Sequence, residues 1–205
     1  MRVLAIETAS EACSVALFDG EETIAHDHRV IGRGHAEALV PMIAALPDKG
    51  RAARVLVSLG PGSFTGVRIG LATARALGFA WSAEVLGYPT LALVAAAARR
   101  KGALTVCMNG GHGEWFVQDF REGEPLGDLN SLTPAAALER GAQGTIIGNR
   151  AADFAARLGD GHEAVTCLPD ARAVPLLPPA ALTIALAPIY GRGPDATPMA
   201  ERRPA

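Results

Sequence analysis

A glycine-rich run is the first feature of this sequence that could do chemistry. Residues 58–66 read SLGPGSFTG and lead from an apolar stretch into a long helical pattern. Glycine permits positive φ angles and close backbone approach, and a helix N-terminus attracts anions. The run could therefore hold a phosphate through Gly60, Gly62, Ser63 and Gly66, although it is not a Walker A loop because no Gly-Lys-Ser/Thr follows. The alternative, which we favour from the residues alone, is that the glycines let a tight turn pack closely against a neighbour.

A second candidate is the turn at residues 7–10, between two apolar stretches. Glu7 and Thr8 could contact a phosphate or a magnesium ion there. Glu7 is the only carboxylate before Glu11, and the turn contains no glycine. A capped hairpin turn without a ligand is the favoured alternative.

The histidines and nucleophiles do not form a recognisable catalytic or metal-binding pattern. His26 and His28 would share one face of a strand, but no third ligand stands nearby, so a surface strand is the simpler interpretation. His35 opens a helix, where we expect a capping or interface role. Ser63 and Cys107 lack a GxSxG elbow or a partner histidine in a known motif. The sequence therefore predicts no catalytic residue and no metal ligand.

The first half of the chain has the pattern that would position these residues. Apolar runs predict strands at residues 3–6, 13–18 and 23–30, joined by short turns into an antiparallel meander. Helical spacing at 35–46 and at 67–81 flanks a buried strand at 55–59, and a strand at 85–87 precedes a helix that opens at Pro89. Pro41 lies within the first helix or near its first turn. This order is that of one ribonuclease-H-like lobe.

The second half reads as a degraded repeat of the first. Its predicted strands are 105–108, 114–120, 145–148 and 164–168, and its predicted helices are 134–139, 150–158 and 180–187. Residues 191–205 carry no apolar pattern, and we expect a loose tail. The boundary near residues 96–103 gives an N-terminal lobe at 1–98 and a smaller C-terminal lobe at 99–205.

Composition limits the function classes. The 205 residues are 49% hydrophobic and 20% charged, which excludes a disordered chain. The net charge of −2 argues against a broad nucleic-acid footprint. The three cysteines form no CxxC pair, and neither a signal peptide nor an apolar run of about 18 residues is present. We therefore expect a cytoplasmic protein that does not bind membranes.

Several segments together resemble one protein family. These segments are LAIETASEACSVALFDG, GHAEALVPMI, LGPGSFTGVRIGLATARALG and GYPTLALVA, which run from Met1 to about Ala98, with weaker similarity at MNGGHGEWF and PIYGR. They are similar to the TsaB (YeaZ) family, the dimerization subunit of the bacterial complex that makes threonylcarbamoyladenosine in tRNA. The resemblance implies an α/β actin-like or Hsp70-like ATPase fold of two ribonuclease-H-like lobes with mixed sheets, the second reduced. In such ATPases the turn equivalent to residues 7–10 carries an Asp and a Gly.

The resemblance also implies a non-catalytic scaffold role. The related transferase TsaD binds a metal through an HxxxH pair after the glycine-rich helix, and the stretch at residues 90–94 here contains no histidine. The expected partners are TsaD and TsaE homologues and a second copy of the chain in isolation, with tRNA contacted only indirectly. No tightly bound cofactor is expected, and ATP or ADP would bind only in the assembled complex. Asn109 to His112 replace the family's usual Asp-Ala-Arg, which affects the expected TsaE contact.

Family members use the two helices of the first lobe to bind partners. The resemblance therefore assigns the helices at 35–46 and 67–81 to the interface, with these contact residues: His35, Leu39, Val40, Ile43, Ile69, Thr73, Ala76 and Phe79. An independent actin-like ATPase or small-molecule kinase remains the alternative function. The turn at Glu7 and the loop at 60–66 are the features that keep this alternative open.

Overall fold

The first half of the chain builds one mixed sheet. The computed structural model describes residues 1–159 and 161–191. The strands are β1 (Arg2–Glu7), β2 (Ala12–Asp19), β3 (Glu22–Val30), β4 (Arg54–Ser58) and β5 (Glu84–Tyr88), in the order β3-β2-β1-β4-β5. The first three strands are antiparallel, whereas β4 and β5 run parallel to β1. The predicted meander and the buried strands after it are therefore present.

Three helices accompany this sheet: α1 (His35–Ala45), α2 (Phe64–Trp81) and α3 (Thr90–Ala97). The Ser63 side chain accepts a hydrogen bond from the Gly66 N–H at 3.2 Å and so caps the start of α2. Ser82, with a φ of 53°, ends that helix in the left-handed region. Pro41 lies inside α1.

The second half repeats this order with shorter elements. Its strands are β6 (Ala103–Gly111), β7 (Glu114–Arg121), β8 (Glu124–Pro125), β9 (Asn130–Leu132), β10 (Thr145–Ile147) and β11 (Ala164–Val165). Their order is β11-β10-β6-β7-β8, and β9 also pairs with β7. The helices are α4 (Pro134–Arg140) and α5 (Ala151–Leu158). As in the first half, an antiparallel unit is followed by two parallel strands, β10 and β11.

The apolar side chains form three layers of core. One core lies between α1, α2 and the first sheet, and another lies between α4, α5 and the second sheet. Between the two sheets lies the third core, which contains α3 and a 3-10 turn at Ala171–Leu176. Residues 91–96 of α3 are all buried, because this helix is covered from both sides. That position explains a helix sequence, TLALVAAA, without a polar face.

The end of the described chain differs from the prediction. We expected a helix at residues 180–187, but only a 3-10 turn at Pro179–Ala181 forms. Residues 182–191, here called the strap, then run extended along the first lobe. Thr183 exchanges two backbone hydrogen bonds with Gly87 on the edge strand β5, and the Ile189 N–H donates to the Leu59 carbonyl at 2.7 Å. The exposed edge of β5 supplies backbone partners for the strap, and an isolated helix of eight residues would lack comparable support.

The remaining predicted tail, residues 192–205, lies outside the described residues. Within the described ranges, every helix is too short or too polar to cross a lipid bilayer.

Candidate functional site

The two candidate phosphate-binding segments do meet in space. The Thr8 hydroxyl donates to the Gly66 carbonyl at 2.8 Å, and the Ser63 N–H donates to the Ala9 carbonyl at 2.7 Å. Residues 7–10 therefore pack directly on the glycine turn and on the first turn of α2. Sequence analysis named both segments, but it did not predict that they bond to each other.

The two segments pack closely, backbone against backbone. A Cβ on Gly62 would overlap the Ala9 carbonyl, and a Cβ on Gly66 would overlap the Thr8 carbonyl. Neither glycine has a positive φ, whereas Gly60 does, with a φ of 88°. The absence of side chains at Gly62 and Gly66 thus serves close packing of two backbones. This geometry supports the packing interpretation of the glycine turn over the phosphate-cradle interpretation.

Glu7 lies behind this contact, fully buried. Its Oε1 accepts the Ala9 N–H at 2.7 Å, whereas Oε2 has no hydrogen-bond partner among the described residues. Burial raises the pKa of Glu7 to about 7, against the lowering effect of the Ala9 hydrogen bond. The environment of Glu7 therefore disfavours the charged form of its carboxyl.

An open cleft of about 810 Å³ lies between the lobes, and Gly62 and Ser63 of the glycine turn line part of it. Its polar lining includes Glu11 from the first lobe and Asn109 and Asn149 from the second. The Asn149 side chain donates to both Glu11 carboxylate oxygens, at 2.9 and 3.0 Å, and accepts the Asn109 N–H at 2.8 Å. Asn149 therefore ties the two lobes together at the cleft. Sequence analysis missed it, because no local spacing connects it with Glu11.

The other polar candidates lie apart from this cleft. His28 Nδ1 lies 3.6 Å from an Asp170 carboxylate oxygen, whereas His26 is exposed. Cys107 is buried, and its burial raises the pKa of the thiol to about 12. Across residues 1–159 and 161–191, no three side chains of the histidine, cysteine, aspartate or glutamate type converge as metal ligands would.

The predicted interface residues divide between the inside and the outside of the first lobe. Phe79 is 92% exposed and Val40 57% exposed, and Ala76 is exposed as well. Ile69 and Thr73 are partly buried. These five side chains are accessible to a partner in the isolated chain.

Three of the predicted contact residues face inward instead. His35, Leu39 and Ile43 are buried, and the His35 Nε2 lies 3.2 Å from the Ala12 carbonyl oxygen. Positions four residues apart share one helix face, and in α1 this face packs on the sheet of its own lobe. The structure therefore corrects their assignment: these side chains position α1 and do not form its exposed surface.

The small residues of α2 also divide between its inner and its outer side. Gly66, Gly70 and Gly78 face the sheet, and a Cβ on Gly78 would overlap the Val85 side chain. Ala72, Ala76 and Ala80 point outward. The glycines bring α2 close to the sheet, while the alanines and Phe79 give its outer side a shallow apolar surface. We call the exposed sides of α1 and α2 the helix-pair surface; its residues are Val40, Ile69, Ala72, Thr73, Ala76, Phe79 and Ala80.

Comparison with known proteins identifies the class of fold. The structure superposes on the ethanolamine utilization protein EutJ from Carboxydothermus hydrogenoformans with a TM-score of 0.51 at 10% identity, covering 86% of this chain and 88% of that one. It superposes on YeaZ from Pseudomonas aeruginosa with a TM-score of 0.73 at 28% identity, covering 92% and 99%. The predicted actin-like fold of two ribonuclease-H-like lobes with mixed sheets is confirmed.

Sequence comparison then identifies the family. The family model described as "TsaD: tRNA N6-adenosine threonylcarbamoyltransferase" matches residues 25–138, more than half of the chain. The tRNA threonylcarbamoyladenosine biosynthesis protein TsaB of Escherichia coli K12 is 40% identical over 110 residues, which are 51% of this chain and 47% of that protein. An uncharacterized protein of Mycobacterium bovis is 31% identical over 97% of this chain and 95% of its own length. The chain belongs to the TsaB/YeaZ family. Its alignment spans about half the length of the E. coli relative, as it does for the Haemophilus influenzae TsaB.

Proposed function

We propose that this chain is a non-catalytic scaffold subunit in the formation of threonylcarbamoyladenosine in tRNA. In this proposal it binds a TsaD-type transferase through the helix-pair surface. The names of the E. coli and H. influenzae relatives and the match to the TsaD family model support the role.

The exposed apolar helix pair is the observation on which the proposal rests. Phe79, at 92% exposed, stands among outward alanines on a helix whose opposite side is packed on its own sheet. Full burial of a phenylalanine side chain contributes about 1.5 to 3 kcal/mol. The small neighbouring side chains would let a partner helix approach α2 closely. A contiguous apolar surface of this kind is typical of protein interfaces.

The closely packed glycine turn supports a role without catalysis. The backbone at residues 7–10 packs directly against Gly62 and Gly66, so these glycines have a packing role. Glu7 lies fully buried behind this contact. Residues 90–94 also lack the HxxxH pair through which TsaD is expected to bind a metal.

The wider assembly belongs to the same proposal. The chain would self-associate through the helix-pair surface in isolation and exchange that contact for the TsaD-type partner. A TsaE-type protein and ATP would act on the assembled complex. Contacts to tRNA would come mainly from the partners, since the chain has a net charge of −2.

A charge placed on the helix-pair surface tests the proposal. Ala76→Glu would bury an unpaired carboxylate in the interface, and we expect it to weaken binding to the TsaD homologue by on the order of 100-fold. Ala76 is exposed, so the urea midpoint should stay unchanged. The matched control is Ala152→Glu, at an exposed alanine on α5 of the second lobe. Unchanged co-purification and light scattering with Ala76→Glu would show that this surface is not the interface.

An omission assay tests the role itself. Threonylcarbamoyladenosine formation should fall when this chain is left out of a reaction with TsaD and TsaE homologues, tRNA and ATP. The purified chain alone should neither hydrolyse ATP nor bind it in calorimetry. Robust turnover by the isolated chain would instead support the alternative of an independent ATPase or kinase.

A further inference from the structure

The helix-pair surface has a third element beside it, which is the strap. Arg75 donates to the Leu186 carbonyl at 2.6 Å, and Arg68 donates to the Tyr190 hydroxyl at 3.0 Å. The Arg68 guanidinium also lies 3.5 Å from the centre of the Phe64 ring. These two arginines are two turns apart on α2 and lie on the flank that faces the strap. Helix α1 contacts the opposite flank of α2. The outer layer of the first lobe thus runs from α1 through α2 to the strap.

The charges along this layer are unbalanced. Arg68 and Arg75 are exposed and hydrogen-bond to neutral oxygens, and neither pairs with a carboxylate of residues 1–159 or 161–191. Arg33 is exposed just before α1, in a groove that the first turns of α1 and α2 share. The one carboxylate that α1 and α2 contribute is Glu37. Arg68 also lines the cleft between the lobes. We call Arg33, Arg68 and Arg75 the arginine rim of the helix-pair surface.

We propose that the arginine rim selects a heterologous partner, whose apolar helix face is bordered by carboxylates, over a second copy of this chain. This inference rests on the proposed function and specifies which occupant the helix-pair surface favours. A guanidinium has five N–H donors, so Arg68 and Arg75 can keep their bonds to the strap and still bind a partner's carboxylate. Both helix N-termini lie at the Arg33 end of the surface and add to its attraction for negative charge.

A second copy is a poorer match for the same surface than a partner bordered by carboxylates. A two-fold dimer places the same patch on both sides of the interface. Each copy would bring the three rim arginines and Glu37, so the dimer interface would carry an excess of positive charge. Juxtaposed like charges lower affinity and are one way that interfaces exclude wrong partners. RNA is disfavoured as an occupant, because the centre of the surface is formed by Ala72, Ala76 and Phe79, which offer no donor to a phosphate.

The dependence of the two associations on salt tests the inference. Salt screens exposed charges, with a Debye length of about 10 Å at about 0.1 M. Between about 50 mM and about 500 mM NaCl, we expect binding of the TsaD homologue to weaken and self-association of this chain to strengthen. Sedimentation velocity measures both. If salt weakened both associations or strengthened both, the inference would be overturned. The arginine rim would then not act oppositely on partner binding and on self-association.

A neutral substitution in the rim provides the second test. Arg75→Gln should weaken binding of the TsaD homologue about two- to fivefold, the range of a single exposed ion pair, and should strengthen self-association by a similar factor. The matched control is Arg121→Gln, since Arg121 is exposed on β7 and is not paired with a described carboxylate. Arg121→Gln should change neither partner binding nor self-association. If Arg75→Gln weakened both associations equally, the arginine would act by holding the strap, and the inference would be wrong.

The outcomes separate this inference from the proposed function. If Ala76→Glu abolishes partner binding while Arg75→Gln has no effect, the interface is right and the selective rim is wrong. If neither substitution changes partner binding, the interface in the proposed function is wrong, and the inference that rests on it is wrong with it. If Arg75→Gln lowers the affinity for tRNA, measured by fluorescence anisotropy, and leaves the TsaD homologue unaffected, the rim is a nucleic-acid contact and the inference is overturned.

Discussion

The two lobes share an order of elements and differ in what their outer helix pairs leave exposed. In the first lobe α1 and α2 have 11 and 18 residues, whereas α4 and α5 in the second have 7 and 8. In the second lobe, two arginines of the helix pair bond to described carboxylates, one on β7 and one on α5. Arg140 bonds Asp119 at 2.8 Å, and Arg157 bonds Asp153 at 2.7 Å. The pair in the first lobe leaves Phe79 and the arginine rim without such partners among the described residues.

This difference teaches where a repeated fold acquires function. Both helix pairs cover one face of a sheet, so the topology alone does not distinguish them. Helix α2 is long enough to extend beyond the contacts that its own lobe needs, and its inner glycines leave its alanines and Phe79 outside. In the proposed function, the partner-binding surface therefore belongs to one lobe and not to the fold that both share.

The close packing in the first lobe gives the largest expected effect. Gly66→Ala would stabilise an ordinary helix, but here the added Cβ would overlap the Thr8 carbonyl. We expect the free energy of unfolding to fall by about 3 kcal/mol, as in overpacked cores. Gly127→Ala in the second lobe is the control, because nothing lies within 4 Å of its Cβ position. Urea denaturation measures both, and a stable Gly66→Ala variant would refute this close packing.

Glu7, the buried carboxyl at the end of β1, should make the stability of the first lobe depend on pH. The corresponding strand of the second lobe, β6, carries Asn109 near its end, and an asparagine does not titrate. The pKa of Glu7 is raised by burial from its ordinary 4.5 to about 7. The unfolded chain therefore releases this proton at lower pH than the folded chain, so stability falls as the pH rises from 4.5 to 7 and levels above. The loss from this group amounts to about 3 kcal/mol.

Glu7→Gln removes that titration. We expect a shallower decline in the free energy of unfolding between pH 4.5 and pH 7 than in the unmodified chain. Urea titrations across this range measure the difference in slope. Parallel curves for the two proteins would show that Glu7 keeps an ordinary pKa in the folded chain.

Phe79→Ala tests whether the partner binds the helix-pair surface of the first lobe and not the second lobe. Because the ring is 92% exposed, the variant should fold as stably as the unmodified chain. Binding of the TsaD homologue should lose about 1.5 to 2 kcal/mol, which is roughly 10- to 30-fold in Kd. Leu126→Ala, at a 48% exposed leucine of the second lobe, is the control and should leave binding unchanged. Calorimetric titration distinguishes the two variants.

The ion pair on α5 gives the smallest effect. Asp153→Asn removes a surface pair between residues four apart, and we expect a loss of at most about 0.5 kcal/mol in the free energy of unfolding. Binding of the TsaD homologue should not change. A clear loss of binding would mean that the helix pair of the second lobe also contacts the partner.

Most of the elements could be predicted from the sequence because their patterns are local. The continuous buried run of β2 and the period near 3.6 in α2 both reflect which side chains reach the interior. The helix predicted at 180–187 was wrong, because the strap is held by the edge of a distant strand. His35, Leu39 and Ile43 were wrong as exposed contacts, because a helix that is apolar on more than one side does not reveal which side its own sheet covers.

What the sequence determined by itself was the order of the elements, their repetition in two lobes and the two-sided character of α2. These follow from side-chain periodicity, which local spacing encodes. The tertiary structure alone decided that Thr8 and Ala9 pack against the glycine turn, that Asn149 bonds Glu11 across the cleft, and that Phe79 remains outside. Each of these depends on contacts between residues far apart in the chain. Such contacts are set by how the sheets and helices stack, which no single segment specifies.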